Sequence, residues 1–239
     1  MAGSNENFPV INAEMLAYLR QYDTPTICNA LDIAAPDKSR TAGFTRRQLV
    51  ALDPDLPPMV GYARTAMIRS TSSFCPAEKR AKALEYYEYT ASGEGPTIVV
   101  IQDIDTNPGL GAHWGEVHTA LHQKLGSMGA ITNGSFRDID DSAKGFQVLG
   151  GSVNPSHAYV HVVDYGCEVE IFGMNVRHAD LLHADKHGAV VIPHEVVEKL
   201  PAAIETIIQR EKVILDAVKH PNFDIEMLKV AVGKSADIH

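Results

Sequence analysis

The sequence predicts one α/β domain that ends in a long helix. Two observations carry this. Segments with helical spacing alternate with many short apolar runs, each bounded by Gly, Pro or Asn. No repeat, low-complexity tract or composition shift divides residues 1–239, so the chain reads as a single domain.

The elements follow in order. Residues 12–22 predict a short helix, with Asn12 as N-cap and Met15, Leu16 and Leu19 on one face. A second helix starts at Asp23-Thr24-Pro25-Thr26, with proline in its first turn, and runs to about Leu31. Residues 34–55 are rich in Pro, Arg and polar residues and read as a loop or short hairpin. Residues 59–70 alternate as a strand does, and PAEKRAKALEYYEY (76–89) has helix-forming composition. SGEGP ends that helix. TIVVIQ (97–102) is a buried-strand run, followed by the glycine-rich loop NPGLGAHWGE. Residues 116–125 predict a helix ended by Gly126 to Gly129, and 130–132 a short strand running into NGSFRDIDD. Further short strands fall at 158–164, 168–172 and 189–192, punctuated by Gly166 and Gly173. A long helix spans about 194–219, Pro221 closes it, and a short helix follows.

Composition narrows the function. The 21 basic and 30 acidic residues give a net charge of −9, with no Lys/Arg block. A protein that tracks phosphates needs a cationic face, so nucleic acid is not an expected partner. No segment approaches the ~20 apolar residues of a membrane span. The N-terminal MAGSNENFPVINAEM lacks the basic and apolar regions of a signal peptide. The three cysteines, Cys28, Cys75 and Cys167, are too few and too scattered for a disulfide framework or a metal knuckle. A cytoplasmic protein is expected, with Cys28 and Cys167 in the core.

The informative stretch runs from Gly109 to Asp140. It reads as strand, glycine-rich loop, helix, strand, and a turn carrying Arg137 and Asp138. If the two strands are parallel neighbours, both turns open on the same sheet edge, where α/β proteins bind ligands. The helix start at Gly115 to His118 offers free amides and a positive dipole end for a carboxylate. Arg137 offers a planar fork of donors for an oxyanion. Asp138 is a hard oxygen ligand for Mg²⁺ or Mn²⁺, and Glu116 could hold one of the metal waters. Together they suit enolate stabilisation. Each residue alone also has an ordinary structural reading, as an ion pair, a helix cap or a loop glycine.

WGEVHTALHQKLGSMGAITNGSFRDID resembles the signature of the regulator of ribonuclease E activity A family. DTPTICNALD and ADLLHADKHGAVVIP resemble that family's first helix and its late strand-turn-strand. The likeness covers roughly residues 20–215, with a C-terminal helical extension over about 194–239. The family includes class II pyruvate aldolases that cleave 4-hydroxy-2-oxo acids such as 4-hydroxy-4-methyl-2-oxoglutarate. It also includes non-enzymatic regulators that bind a ribonuclease.

The resemblance implies a swivelling β/β/α-type, αββα-like fold, assembled as a homotrimer or homohexamer. It implies Arg137 as the arginine that neutralises the enolate, Asp138 as direct metal ligand and Glu116 as ligand through water. It implies that the Gly115, Glu116, Val117 and His118 amides hold the pyruvate carboxylate. Glu211, in QREKVIL, is the nearest match to an acidic residue given by the neighbouring subunit. Two positions depart from the aldolases. Asn133-Gly134 stands where they have Asp-Gly, and Glu116-Val117-His118 where they have Asp-Asn-Leu. His118 therefore enters as an added donor or general base. The segment 72–95 reads as a place where this chain builds its own substrate pocket.

The expectation is a metal-dependent lyase that releases pyruvate from a short 4-hydroxy-2-oxo acid, with oxaloacetate decarboxylation as a side activity. The alternatives are a protein-binding regulator on the same fold and a nucleotide or S-adenosylmethionine binder using Gly109-x-Gly111-x-x-x-Gly115. A zinc site at His113, His118 and His122 lacks the required spacing, and no lysine stands beside the constellation in sequence for a Schiff base.

Overall fold

The computed structural model describes residues 10–36, 42–72, 75–93 and 95–238. Their elements, in chain order, begin with α1 (Ala13–Leu19), α2 (Thr24–Ala34), β1 (Val50–Ala51), β2 (Met59–Arg69), α3 (Pro76–Thr90) and β3 (Thr97–Asp103). Then come β4 (Ala112–Trp114), α4 (Glu116–Lys124), β5 (Ser127–Thr132), β6 (Ser135–Phe136), β7 (Gln147–Gly150) and β8 (Ser152–Val153). The last are β9 (His161–Tyr165), β10 (Val169–Ile171), β11 (Met174–Val176), β12 (Leu181–Asp185), β13 (Gly188–Ile192), α5 (Leu200–Val218) and α6 (Ile225–Ala236). The mixed α/β architecture and the long C-terminal helix are as expected. The described residues pack as two compact units, one of residues 10–24 and 42–194, the other of 25–36 and 195–238.

The first unit is built on a sheet ordered β1-β7-β5-β3-β2-β12-β13, with β9 also paired to β2. β3 runs parallel to both β2 and β5. β3 is flanked on both edges and buried on both faces, which is why its middle reads IVVI without alternation. Its side chains still part by pleat. Ile98 and Val100 join Ile131, Leu149 and Met174 in one core cluster. Val99 and Ile101 join Ala130, Trp114, Phe136 and Phe146 in the other. A small parallel sheet, β4-β6-β8, stands beside the main one.

α1 has the expected cap, with the Asn12 carboxamide oxygen accepting from Met15 N–H at 2.7 Å and Leu16 and Leu19 buried. Several boundaries differ from expectation. Only Gly126 serves as the left-handed stop of α4, at φ +95°, so β5 starts at Ser127 rather than Ala130. β4 lies inside the run read as loop. The strand expected at 158–164 starts at His161 and ends at Tyr165. Cys28 and Cys167 are only half-buried rather than core residues.

In the second unit the helix expected from His194 begins as a 3-10 helix, His194–Lys199, and turns α-helical at Leu200. Pro201 sets that boundary, because a proline is tolerated in a helix only where its missing N–H has no partner to lose. α5 packs on α6, whose N-cap Asp224 accepts from Met227 N–H at 2.8 Å. Arg210 ties the pair by donating to Ile238 O through Nε (2.9 Å) and Nη2 (2.7 Å). No helix among the described residues is long and apolar enough to cross a membrane.

Ile131 is wholly buried on β5, between β7 and β3. Ile131→Ala is expected to lower unfolding free energy by about 2–5 kcal/mol in urea titration, the range for opening a core cavity. A loss under about 1 kcal/mol contradicts the packing described.

Candidate active site

The parallel pairing of β3 and β5 sends both chain turns out at their carboxyl ends. From β3 the chain passes through a glycine-rich segment into β4 and α4. From β5 it passes through Asn133 and Gly134 into β6 and Arg137-Asp138. β4 and β6 then pair in parallel, Trp114 opposite Phe136, and Arg137 N–H donates to Trp114 O at 2.9 Å. This second pairing joins the two turns.

The glycine-rich segment is a packing device, not an open phosphate cradle. Gly109 takes φ +96°, its N–H donates to Asp103 Oδ2 at 2.7 Å, and its carbonyl accepts from Ser135 Oγ at 2.8 Å. Gly111 sits where a Cβ would lie 2.6 Å from His157 O and from Ser70 Cβ. With these groups committed, the nucleotide-type reading loses its footing. Asn133, the departure from Asp, has a structural role. Its side chain accepts from Asp103 N–H at 2.7 Å and donates to Asp103 O at 3.0 Å, tying the ends of β3 and β5.

Asp138 occupies the left-handed region at φ +52°, a conformation Asp tolerates better than most residues. The turn is fixed by Ser142, whose N–H and Oγ both donate to Asp138 O, at 2.9 and 2.8 Å. It aims Asp138 Oδ2 at the start of α4, where Glu116 N–H donates to it at 3.2 Å. Arg137 Nε lies 3.5 Å from the same oxygen. Gly115 permits the approach, since a Cβ there would sit 2.5 Å from Asp138 Oδ2 and 3.2 Å from Arg137 Cγ. The Val117 and His118 amides keep no intrahelical partner in this first turn.

These residues line a cavity of about 440 Å³ together with Lys79, Ala83 and Tyr87 of α3 and with His157, Val160 and His161. The segment 72–95 thus does supply a wall, from α3. Gly115, Glu116, Val117, His118, Arg137 and Asp138 come together as expected. Glu211 belongs to the second compact unit. It lies on α5, where Asn29 Nδ2 donates to it at 3.5 Å.

An aromatic cluster backs the cavity. The His113 and His118 rings stand 4.3 Å apart, centroid to centroid. His122 Nδ1 bonds His118 O at 2.7 Å, and its Nε2 meets the Tyr86 hydroxyl at 2.8 Å. A carbonyl only accepts, so Nδ1 carries the proton and Tyr86 donates to Nε2. Both His122 nitrogens are then committed, which removes it as a zinc ligand. Tyr87 OH lies 3.4 Å from His118 Nδ1. Burial, with the Lys79 and Arg137 charges, pushes His118 down to about 4. Burial likewise pushes His122 to about 4, and His113 well below its ordinary value. All three imidazoles are neutral at pH 7.

The donor set for a cation is small. Among the described residues no group of three His, Cys, Asp or Glu is placed to hold a metal ion. Mg²⁺ and Mn²⁺ need only one or two carboxylates because they keep several waters. Asp138 makes its contacts through Oδ2, which leaves Oδ1 free, and Glu116 is exposed on the same cavity. The residues fit a hydrated hard cation and do not fit zinc.

Sequence reasoning named neither Lys79 nor Tyr87. A signal for both was present, because Lys79, Ala83 and Tyr87 recur every four residues and share one helix face.

Comparison with known proteins agrees with the fold. A family model described as RraA-like, Aldolase/RraA, matches residues 24–191. No curated protein matches. The chain is similar to the structure of an uncharacterized protein from Pseudomonas syringae pv. tomato, with TM-score 0.71 and 18% identity over 98% of this chain and 100% of that one. It is also similar to RraAS2 from Streptomyces coelicolor, described as an unusual member of the RNase ES inhibitor RraA family. That match has TM-score 0.63 and 19% identity over 88% of this chain and 98% of the other. A structure described under novel cellulases from gut-associated microbes matches with TM-score 0.70 and 18% identity, over 87% and 90% of the two chains. At these identities the likeness is one of fold.

The buried imidazoles predict a pH dependence. His122 titrates near 4 in the folded chain and near 6.5 unfolded, so below pH 6.5 the unfolded state binds the extra proton. Stability is expected to be flat above pH 7 and to fall on acidification, by on the order of 2 kcal/mol from His122 alone between pH 6.5 and 5. Urea unfolding across that range checks this, and a pH-independent midpoint contradicts it.

Proposed function

We propose that this chain, which belongs to the RraA-like (Aldolase/RraA) family, is a metal-dependent lyase that releases pyruvate from a short 4-hydroxy-2-oxo acid. The family holds both aldolases and ribonuclease inhibitors. The observation that favours the lyase is the convergence of Arg137, Asp138 and the open first turn of α4 on one cavity. A surface that only binds a protein needs no such convergence.

The chain's own groups suit the reaction. The substrate carboxylate is received by the Val117 and His118 amides, at the positive end of the α4 dipole. Arg137 donates to the 2-oxo oxygen, and its charge gains most as cleavage between C3 and C4 turns that oxygen into an enolate. His118 is unprotonated at neutral pH, so it can accept a hydrogen bond from the C4 hydroxyl. Tyr87 holds the other nitrogen of that ring. Asp138, with Glu116 through water, would hold Mg²⁺ or Mn²⁺, which when bound supplies Lewis-acid polarisation of the 2-oxo group. Oxaloacetate decarboxylation passes through the same enolate and is the expected side activity. A homotrimer or homohexamer in the cytoplasm, with Glu211 reaching the site of a neighbouring subunit, completes the proposal.

Pyruvate release from oxaloacetate tests it, measured on metal-stripped protein with and without added Mg²⁺ or Mn²⁺. Turnover above the free-metal background is expected. Arg137→Ala is expected to lower kcat about 100-fold, the cost of one oxyanion donor, or ~3 kcal/mol. Asp138→Ala is expected to lose the metal dependence. Absence of turnover together with absence of metal binding would favour the protein-binding regulator instead.

A further inference from the structure

A second recess is built within the α5-α6 pair and takes no part in the chemistry above. It holds about 520 Å³ and is lined by Val213 and Ala217 of α5 and by Met227, Val230 and Ala231 of α6. Ala217 and Ala231 help to make it hollow, because short side chains along a helix seam leave a groove. α6 packs on α5 through Ala231 and Ser235, which are buried, and Ser235 Oγ donates to Arg210 O at 3.1 Å. Val230 is turned about 100° from Ala231 around the helix and stays 57% exposed at the lip of the groove. Apolar side chains scattered singly on a surface are ordinary. One standing over an apolar groove marks a surface that gains by being covered.

The charges around the groove keep a register. Glu226, Val230 and Lys234 recur every four residues, so they form one stripe along α6, about 12 Å long at 1.5 Å per residue. All three line the groove, with Asp224 and Glu226 at its acidic end and Lys234 at the other. Glu226 pairs with Lys229 at 2.7 Å, but both are exposed and such a pair is readily exchanged for another. No carboxylate of the described residues lies within ion-pair distance of Lys234. A stripe of acid, valine and base is complementary to its own reverse, which is what a twofold contact requires. A copy laid parallel would set acid on acid and base on base, so the charges select the antiparallel orientation. A helix from any other protein would have to carry the same stripe, and α6 already carries it.

We propose that this groove is a twofold self-association surface whose occupant is α6 of a second copy of this chain, running antiparallel. The two Val230 side chains cover the two grooves at the centre of the contact. Glu226 of each copy meets Lys234 of the other, once on either side of the valines. The contact is twofold, so it doubles whatever assembly the rest of the chain forms. It is independent of the lyase reading, since no residue lining the active-site cavity takes part.

Sedimentation equilibrium on the full chain tests this, run beside Glu226→Lys, Lys234→Glu and the double variant carrying both changes. The chain is expected to sediment as a particle with an even number of copies. Either single reversal sets like charges against each other at both ends of the contact and is expected to halve that mass. The double variant restores opposite charges across the contact and is expected to return to the full mass. That recovery also separates a lost contact from a misfolded helix, because a fold damaged by either change stays damaged with both. A particle with an odd number of copies overturns the proposal. So does a mass that the single reversals leave unchanged, as when the groove takes a different protein. A double variant that stays at half mass overturns it as well.

Discussion

One contact organises this site. The carboxylate of Asp138 is seated against the first amide of α4, 22 residues away in sequence, and Gly115 leaves the room for it. Everything else follows from that closure. The Asp138 turn must enter the left-handed region to make the reach, and Ser142 holds it there. Arg137 is carried alongside, with its amide on Trp114 and its guanidinium beside the Asp138 carboxylate. The seating uses one oxygen and one amide. It leaves the other carboxylate oxygen and two amides facing the cavity, an arrangement able to receive a cation and an anion side by side. The main sheet serves this closure by running β3 and β5 in parallel, so that two separate turns emerge together.

The second constraint is electrostatic. His113, His118 and His122 are packed among Tyr86, Tyr87 and Trp114, where a charged imidazole loses most of its hydration. Cations at Lys79 and Arg137 reinforce the effect at His118. The cavity wall therefore sets neutral hydrogen-bonding groups beside two cations, with the Glu116 and Asp138 carboxylates on the same cavity. That is a favourable setting for oxyanions and a poor one for a soft metal. The same burial makes the cluster a source of acid sensitivity for the fold, so the features that tune the site also limit its pH range.

Much of this was legible in the sequence. The TIVVIQ run reads as a buried strand, and the Asn12 cap and the Pro25 start placed the first helices. The two turns after β3 and β5 mark Gly115, Glu116, His118, Arg137 and Asp138 in the sequence itself. What was not legible depends on pairings distant in sequence. β4 has three residues and no pattern of its own, and it becomes a strand only because β6 lies beside it. The glycines of the loop resemble a nucleotide fingerprint, yet contacts with Ser135, Ser70 and His157 decide their use. Lys79 and Tyr87 reach the cavity because α3 lies along it, which local spacing hints at but does not establish.

The central claim is that this cavity stabilises a pyruvate enolate. The most direct measurement is exchange of the pyruvate methyl protons for deuterium, followed by NMR in the presence of Mg²⁺ or Mn²⁺. The account predicts exchange well above the free-metal background that collapses in Arg137→Ala. Exchange at the background rate, or exchange indifferent to Arg137, would contradict it.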